Sequence, residues 1–215
     1  AIVDRIRKEE NKRPSVNKIN PEFFITVYIK DNNIKVYLNS SGRPLFMRGY
    51  RTKIHNAALN ESLASGILKL TNWDNKKPLY DPMCGSGTFL IEAAMSAFNI
   101  PPRILRKDYS FMNWKNFDEK LWKQLIEKEN NRIKCFKTTL YGSDFLASNI
   151  NISKASSKKL NLDKYINFEV KSFKQIIPND TKGIFITNPP YGYRIGETDK
   201  LKKVYKEIGD HLKTN

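Results

Sequence analysis

The stretch LYDPMCGSGT, from Leu79 to Thr88, constrains the fold of this chain more than any other segment. An apolar approach ends in Asp81, Pro82 forces a change of direction, and two glycines allow the backbone to come close to a ligand. Thr88 then opens the largely apolar run Phe89–Ala94, which is typical of a buried helix. These features predict a strand end, a tight turn and a helix start, the arrangement through which doubly wound folds bind nucleotide-like ligands. A plain structural turn is the alternative.

The net charge of the chain indicates what kind of partner it binds. With 215 residues and 40% hydrophobic content, it can bury one core and a smaller satellite unit. A net charge of +16 indicates a polyanionic partner, most simply nucleic acid, although a lysine-rich proteome produces the same surface.

Cys84 and Cys135 lack CxxC spacing, so we expect neither a disulfide framework nor a metal site. No apolar run reaches the roughly 20 residues of a membrane span and no signal-peptide pattern opens the chain, which makes the cytoplasm the expected location.

The N-terminal segment reads as a helix followed by a hairpin. Apolar residues at helical spacing between Ile2 and Ile6 predict the helix, and the abrupt apolar start suggests a missing N-terminal partner. Phe23–Ile29 and Ile34–Leu38 are β-rich runs separated by the turn residues Lys30–Asn33. Two strands alone are marginal in water, so we expect them to pair with absent residues or to pack on the next domain of the chain. Two interpretations of this segment remain open: a simple N-terminal extension and a truncated RNA-binding module.

Basic and aromatic residues alternate in the segment that leads into the main domain. They are Arg43, Phe46, Arg48, Tyr50, Arg51 and Lys53. Such a mixture suits phosphate contact and base stacking, and a solvated linker is the alternative. A helical pattern comes next, with Leu59, Leu63, Ile67, Leu68 and Leu70 on its predicted apolar face. The lone His55 reads as a surface or capping residue rather than a catalyst.

Strand and helix signals alternate after the glycine turn, which predicts an α/β domain with a parallel sheet. Thr138–Asp144, Ile166–Val170 and Gly183–Thr187 read as strands, and the last, continuously apolar, is expected to be buried on both faces. An irregular insertion, Phe111–Trp122, interrupts the alternation. In dinucleotide folds a strand-end acid binds the ribose hydroxyls about 20 residues after the glycines. Asp144 fits that position, and the insertion explains the longer gap.

The run Asn188–Gly192 (NPPYG) comes directly after the last predicted strand. Two prolines direct backbone carbonyls into the crevice instead of into a ladder, Asn188 offers an amide oxygen, and Tyr191 offers a flat face. This set fits a planar substrate that bears an amino group, and a flipped-out base satisfies the description. An ordinary proline-rich loop is the alternative.

These separate signals are expected to share one site. In an open parallel sheet the carboxyl ends of all strands face one crevice, where ligands bind. That geometry brings together Asp81 with its glycine turn, Asp144, the pair Ser172 and Phe173 after the third strand, and Asn188–Tyr191. Because four signals are expected at the same edge of the sheet, a binding site is favoured over the purely structural explanation of each signal alone.

Two motifs carry a family resemblance. DPMCGSGT at 81–88 together with NPPYG at 188–192 resembles the class I S-adenosylmethionine-dependent N-methyltransferases that act on exocyclic amines. RGYR at 48–51 and FMNWKNFD at 111–118 narrow it to the THUMP-containing RNA methyltransferases, in particular the bacterial enzymes for guanine N2 of 23S ribosomal RNA, often labelled N6-adenine-specific DNA methylases. The resemblance implies a Rossmann-like class I sheet, present in part as strands 1–4, after the end of an α+β THUMP domain. The implied domains are residues 1–42 as the THUMP remnant, 43–77 as a connecting segment and helix, and 78–215 as the N-terminal part of the methyltransferase domain.

The resemblance also implies roles for individual residues. The methionine and sulfonium end of the cofactor lies along Asp81, Met83, Cys84, Gly85, Ser86, Gly87 and Thr88, which makes Cys84 a pocket-lining residue rather than a nucleophile. Asp144 holds the ribose, Phe145 lies against the adenine, Ser172 and Phe173 lie near the adenine amino group, and Asn188, Pro189, Pro190 and Tyr191 hold the target base. The family pattern is broken where Ser172 replaces an acid and where Ala57-Ala58-Leu59 replaces Ala-Pro-Leu, a segment that the resemblance places at the cofactor pocket.

The expected reaction is therefore S-adenosylmethionine-dependent methylation of an exocyclic base amine in RNA, specifically guanine N2 of 23S ribosomal RNA or of a pre-50S particle, without metal or membrane. The alternatives are an N6-adenine methyltransferase on RNA or DNA and, from another class, a non-catalytic RNA-binding or ribosome-assembly module. A glutamine-amide protein methyltransferase also fits the loop, but the charge of +16 and the THUMP-like start argue against it. Because the family continues beyond Asn215 with the last strands of the sheet, we expect the chain to be a fragment cut at both ends.

Overall fold

The computed structural model describes residues 2–17, 21–51, 59–134, 139–178, 182–190 and 198–214. The chain divides into two compact units. The first consists of Ala1–Pro44 and Lys107–Lys123, and the second of Leu45–Arg106 and Gln124–Asn215. In the described ranges no helix is long and apolar enough to cross a membrane.

The first unit begins with a helix and a hairpin. Helix α1 spans Ile2–Glu10, and strands β1 (Phe24–Lys30) and β2 (Asn33–Asn39) pair antiparallel. Lys30 pairs with Asn33, so Asp31 and Asn32 form the turn, and Asp31 adopts a φ of 52°, which aspartate tolerates better than most residues. The predicted helix and hairpin are confirmed.

The predicted insertion belongs to the same unit as this hairpin. The Phe111 N–H donates to the Ser40 carbonyl at 3.0 Å, and the Asn113 side chain donates to the Glu22 carbonyl at 3.1 Å. The rings of Tyr109, Phe111, Phe117 and Trp122 pack against one another. The insertion therefore contributes an aromatic cluster to the first unit.

The second unit is a parallel sheet with helices. Its elements are α2 (Glu61–Leu70), β3 (Leu79–Asp81), α3 (Thr88–Ala97), α4 (Glu119–Asn130, which the unit boundary crosses), β4 (Leu140–Asp144), α5 (Ala147–Lys158), β5 (Ile166–Val170), β6 (Ile184–Phe185) and α6 (Thr198–Thr214). The four strands pair in parallel in the order β5-β4-β3-β6. The predicted α/β domain with a parallel sheet is confirmed.

Helix α3 occupies the centre of the core. Nine of its ten residues are buried, as expected for a helix that is apolar nearly all round. It packs against α2 and against the sheet, where Leu79, Leu140 and Phe168 join the same hydrophobic cluster. This packing fixes the helix whose first turn comes directly after the glycine motif.

The apolar face predicted for α2 is wrong in part. Leu63 and Leu70 are 54% and 82% exposed, whereas Ala64 and Leu68 are buried together with Glu61. Ala64 is fully buried in the helix that packs against α3, and Glu61 has a buried arginine partner, Arg51. Leucine spacing alone therefore indicated the wrong rotation of the helix.

The last strand is shorter and more exposed than predicted. Pairing covers Ile184 and Phe185 only, and both are half-buried because β6 has a single neighbour, β3, in the described part of the sheet. Ile186 is buried, and its N–H still donates to the Tyr80 carbonyl at 2.9 Å. The predicted strand exists, but the prediction of burial on both faces is wrong for these two residues.

Candidate active site

The turn after β3 is held tightly against β4. The Cys84 N–H donates to the Ser143 carbonyl at 2.9 Å, and the Ser143 hydroxyl donates to the Pro82 carbonyl at 3.3 Å. Gly87, the N-cap of α3, has a φ of 75°, and a Cβ there would lie 2.8 Å from the Ser153 Cβ. Only glycine satisfies both the left-handed backbone and the close approach. The turn is therefore built by local conformation and by packing together.

Asp144 links the glycine turn to the next helix. Its Oδ2 accepts the Gly85 N–H at 3.0 Å, and its Oδ1 accepts the Leu146 N–H at 2.9 Å. Hydrogen bonds from backbone N–H groups to a carboxylate are among the stronger ones in proteins. An ionised carboxylate has about four lone-pair sites, so these two bonds leave acceptor capacity for ligand hydroxyls.

Asp81 is a buried acid at the end of β3. Asp81 is only 2% exposed. This burial is the main cause that raises its pKa from 3.8 to about 7. The Asp144 charge adds to the shift, whereas the Thr187 hydroxyl and the Met83 N–H oppose it. A cation placed beside Asp81 would favour the ionised form and lower this pKa.

A cavity of about 660 Å³ lies at the carboxyl ends of the strands. This volume is within the range of about 300–1,000 Å³ that is usual for small-molecule sites. The cavity brings together these residues of the predicted site: Asp81, Met83, Cys84, Gly85, Ser86, Thr88, Asp144, Phe145, Ser172, Phe173, Asn188, Pro189 and Pro190. Gly87 is not among the lining residues, and Tyr191 and Gly192 lie outside the described residues.

Several lining residues have distinct surroundings. Phe145 is 70% exposed, so its ring is accessible to a ligand. The Ser172 hydroxyl accepts the Lys174 N–H at 3.4 Å and caps a short 3₁₀ turn. Burial raises the pKa of the Cys84 thiol well above its usual range, which disfavours a nucleophilic thiolate. Cys135 lies outside the described residues.

The loop after β6 also lines this cavity. Asn188 and Pro189 are half-buried and Pro190 is exposed. The Pro190 carbonyl accepts a hydrogen bond from the Tyr205 hydroxyl of α6 at 3.4 Å, and Val204 of the same helix lines the cavity. The loop and the glycine turn therefore border one space.

Leu59, which the family resemblance placed at the cofactor pocket, lines the cavity. Sequence reasoning missed another part of the lining: Pro82, Phe89, Leu146, Asn149 and Val204. Asn149 carried a usable signal, because it lies in the first turn of the helix after the acid-ended strand β4. The apolar residues carried none, since an apolar side chain near a site has the same sequence signature as one in the core.

The interpretation of the RGYR motif as RNA-contacting residues or as a solvated linker is wrong. Tyr50 is fully buried and donates to Glu92 Oε1 at 3.1 Å, and the Arg48 Nε lies 3.6 Å from the same oxygen. The Arg51 Nε lies 3.0 Å from Glu61 Oε1. The acids that neutralise these arginines come from helices later in the chain. The basic residues of the motif therefore anchor the core.

The other basic positions of that segment differ. Arg43 is exposed and lies 3.8 Å from Asp108 in the first unit, while Lys53, His55, Ala57 and Ala58 fall outside the described residues. Among the side chains that the structure describes, no group of three or more His, Cys, Asp or Glu residues could hold a metal ion.

The chain is similar to known proteins along nearly its whole length. Residues 48–215 match the family model described as RMKL-like, methyltransferase domain. The Synechocystis sp. protein slr0064, which carries an RNA methyltransferase name, is 39% identical over 99% of this chain and 56% of its own length. The ribosomal RNA large subunit methyltransferase K/L of Psychromonas ingrahamii is 38% identical over 99% of this chain and 29% of its own length.

A solved structure has the same fold. The crystal structure of SMU.472 complexed with SAH matches with a TM-score of 0.86 at 31% identity, covering 99% of this chain and 56% of that one. The chain thus spans little more than half of the length of these proteins, or less.

Proposed function

This chain belongs to the family of the RMKL-like methyltransferase domain, and on that premise we propose that it carries the S-adenosylmethionine site of an RNA methyltransferase. The proposed reaction is methylation of an exocyclic base amine, specifically guanine N2 of 23S ribosomal RNA, alone or in a pre-50S particle. One observation carries the proposal: a single cavity borders the glycine turn, Asp144 and the Asn188–Pro190 loop. We further propose that residues 1–42 are the end of a THUMP domain, 43–77 a connecting segment and helix, and 78–215 the N-terminal part of the methyltransferase domain.

The residues of the cavity fit this cofactor. The N-terminus of α3, directly after the turn, offers backbone N–H groups to its carboxylate, and buried Asp81 offers a counter-charge to its ammonium group. Asp144 retains acceptor capacity for the ribose hydroxyls, and the exposed ring of Phe145 offers a stacking face for the adenine. Ser172 and Phe173 complete the adenine end. S-adenosylmethionine, when bound, supplies an electrophilic methyl group on its sulfonium.

The Asn188 loop holds the base in this proposal. The side-chain oxygen of Asn188 and a prolyl carbonyl of Pro189 or Pro190 accept the two amine protons, which leaves the nitrogen lone pair directed into the cavity. Tyr191 provides the stacking face for a base that has left its helix. Orientation of the amine accounts for most of the acceleration, and no strong general base is required.

The RNA partner is supported by the charge of the chain. A net charge of +16 favours a polyanion over a protein substrate with a glutamine amide. The charge does not depend on the two arginines of the RGYR motif, since each is paired with a buried glutamate.

Two measurements test the proposal. Calorimetric titration of the full-length protein with S-adenosylmethionine should show binding, and its absence would refute the enzyme function in favour of a non-catalytic RNA-binding module. Nucleoside mass spectrometry of ribosomal RNA from a deletion strain should show loss of N2-methylguanosine. Loss of N6-methyladenosine instead would assign the site to the other amine.

A further inference from the structure

Arg51 joins three separate points of the second unit. Its Nε lies 3.0 Å from Glu61 Oε1 in the first turn of α2. Its Nη2 donates to the Thr88 hydroxyl at 3.2 Å and to the carbonyl of Leu59. The side chains of Arg51 and Glu61 are only 11% and 5% exposed, so this ion pair is largely buried.

Two of these three partners line the cofactor cavity. Leu59, which precedes the N-cap Asn60 of α2, forms one part of the wall, and Thr88, the first residue of α3, forms another. The Thr88 hydroxyl also lies 3.2 Å from the Ser86 hydroxyl in the glycine turn. A continuous series of polar contacts therefore connects the start of α2 with the turn.

The guanidinium is suited to this junction. It is planar and presents five N–H donors in a fixed geometry, so it can bind a carboxylate, a carbonyl and a hydroxyl at the same time. A lysine ammonium keeps the charge but not the fork, so it cannot maintain all three distances. Substitution by lysine would therefore release Leu59 or Thr88 from its present position while leaving Glu61 a counter-charge.

Arg48 provides a natural comparison within the same motif. Its side chain is 10% exposed, and its Nε lies 3.6 Å from Glu92, which is itself 3% exposed. Its Nη1 donates to the Leu45 carbonyl at 2.9 Å. Neither Leu45 nor Glu92 belongs to the lining of the cavity. The two arginines thus match in burial and in having one glutamate and one carbonyl partner. They differ in that Arg51 also binds the Thr88 hydroxyl and in that its partners border the cavity.

We infer that Arg51 is a positioning residue for S-adenosylmethionine binding, and that it acts by holding the Leu59 wall against the glycine turn. Arg48 has a structural role alone. The inference rests on the proposed function, because it concerns the cofactor of that reaction.

The test compares R51K with R48K in the full-length protein, by thermal unfolding, by calorimetry with S-adenosylmethionine and by kinetics with RNA. Both variants should lower Tm. R51K should weaken cofactor affinity by about tenfold or more, since small displacements of a site wall have effects of that size, whereas R48K should change it by less than about threefold. At saturating cofactor R51K should recover kcat to within about twofold, so that the defect lies in KM for S-adenosylmethionine.

The outcomes are distinguishable. Failure of the unsubstituted protein to bind S-adenosylmethionine would refute the proposed function itself. Binding by that protein together with equal affinity losses in R51K and R48K, or with no loss in R51K, would overturn the positioning role only. If R51K does not fold, E61Q and E92Q form a second matched pair: E61Q should weaken cofactor binding and E92Q should not, and equal affinities would overturn the inference.

Discussion

The ends of the neighbouring strands β3 and β6 border the same cavity but are built differently. The β3 end is closed: Asp81 is 2% exposed, and the adjoining turn is hydrogen-bonded to β4 through Cys84, Ser143 and Gly85. The β6 end is more open, with Asn188 and Pro189 half-buried and Pro190 bonded to Tyr205 at 3.4 Å. The side that we propose binds the cofactor is thus part of the core, whereas the side that we propose holds the base lies at the surface of the unit.

This difference predicts which properties change together. Substitutions at the β3 end should alter cofactor binding and folding stability at once, because the same hydrogen bonds serve both. Substitutions at the β6 end should alter methyl transfer alone. Variants on each side of this division can therefore test it.

The largest effect is expected from Asn188→Ala. The variant loses the side-chain oxygen that we assign to the amine, so turnover on RNA should fall by at least about 100-fold, the size seen when one positioned hydrogen-bonding group is removed from an active site. Cofactor affinity and Tm should stay nearly unchanged, because Asn188 belongs to the open end. Turnover assays and calorimetry on the same preparation check both parts. Full turnover would show that another residue holds the amine.

Gly87→Ala tests the closed end through stability. The new Cβ would lie 2.8 Å from the Ser153 Cβ and 3.0 Å from the Phe168 ring, at a φ of 75°. Conformational strain and overpacking together should lower the free energy of unfolding by about 2–4 kcal/mol. Gly85→Ala is the matched control, since nothing lies within 4 Å of its Cβ position and its φ of 53° leaves only strain, about 1 kcal/mol. Equal losses in denaturant unfolding would contradict the packing argument.

Asp144→Asn should affect stability and cofactor affinity together. The amide retains one acceptor oxygen, so the N–H of Gly85 or of Leu146 loses its partner. Loss of a hydrogen bond to a charged group corresponds to about 1.5–3 kcal/mol, or roughly 10–100-fold in affinity. Asp163→Asn, at an exposed position outside the cavity lining, is the control for the charge change. A normal affinity with a lowered Tm would separate the two roles of Asp144.

Sequence-based prediction succeeded where neighbouring residues set the structure and failed where distant residues set it. The strand, turn and helix around Asp81 were predictable because glycine, proline and an apolar run act locally. The partners of Arg48 and Arg51 were not, because Glu92 and Glu61 meet them only after the helices pack. The interleaved charges and rings of RGYR look alike whether they face solvent, RNA or a buried acid.

The extent of β6 and the rotation of α2 were misjudged for a related reason. An apolar run such as Gly183–Thr187 indicates burial, but the number of its residues that pair depends on the flanking strands. Here β3 pairs with only two residues of the run, Ile184 and Phe185. In α2 the leucines allowed more than one buried face, and the face that is buried carries Ala64 and the ion-paired Glu61. The roles assigned to the individual cavity residues stay predictions.

The smallest effect is expected from pH and depends on Asp81. Burial raises its pKa to about 7 in the free protein, and the ammonium group proposed to lie beside it favours the ionised form. Cofactor binding should therefore release a proton, and affinity should be full above pH 7 and decline as pH falls through 7, by up to about tenfold per pH unit. Calorimetry at several pH values, in buffers of different ionisation enthalpy, measures both the affinity and the released proton.

Asp81→Asn is the control for this pH dependence. The variant cannot ionise, so its affinity should be weaker at about pH 8 and nearly independent of pH between about 6 and 8, whereas Asn188→Ala should keep the full dependence because it leaves Asp81 intact. A pH slope that survives in Asp81→Asn would assign the titration to another group. A slope lost in Asn188→Ala would show that the open end is coupled to the closed one, and the division between the two strand ends would then fail.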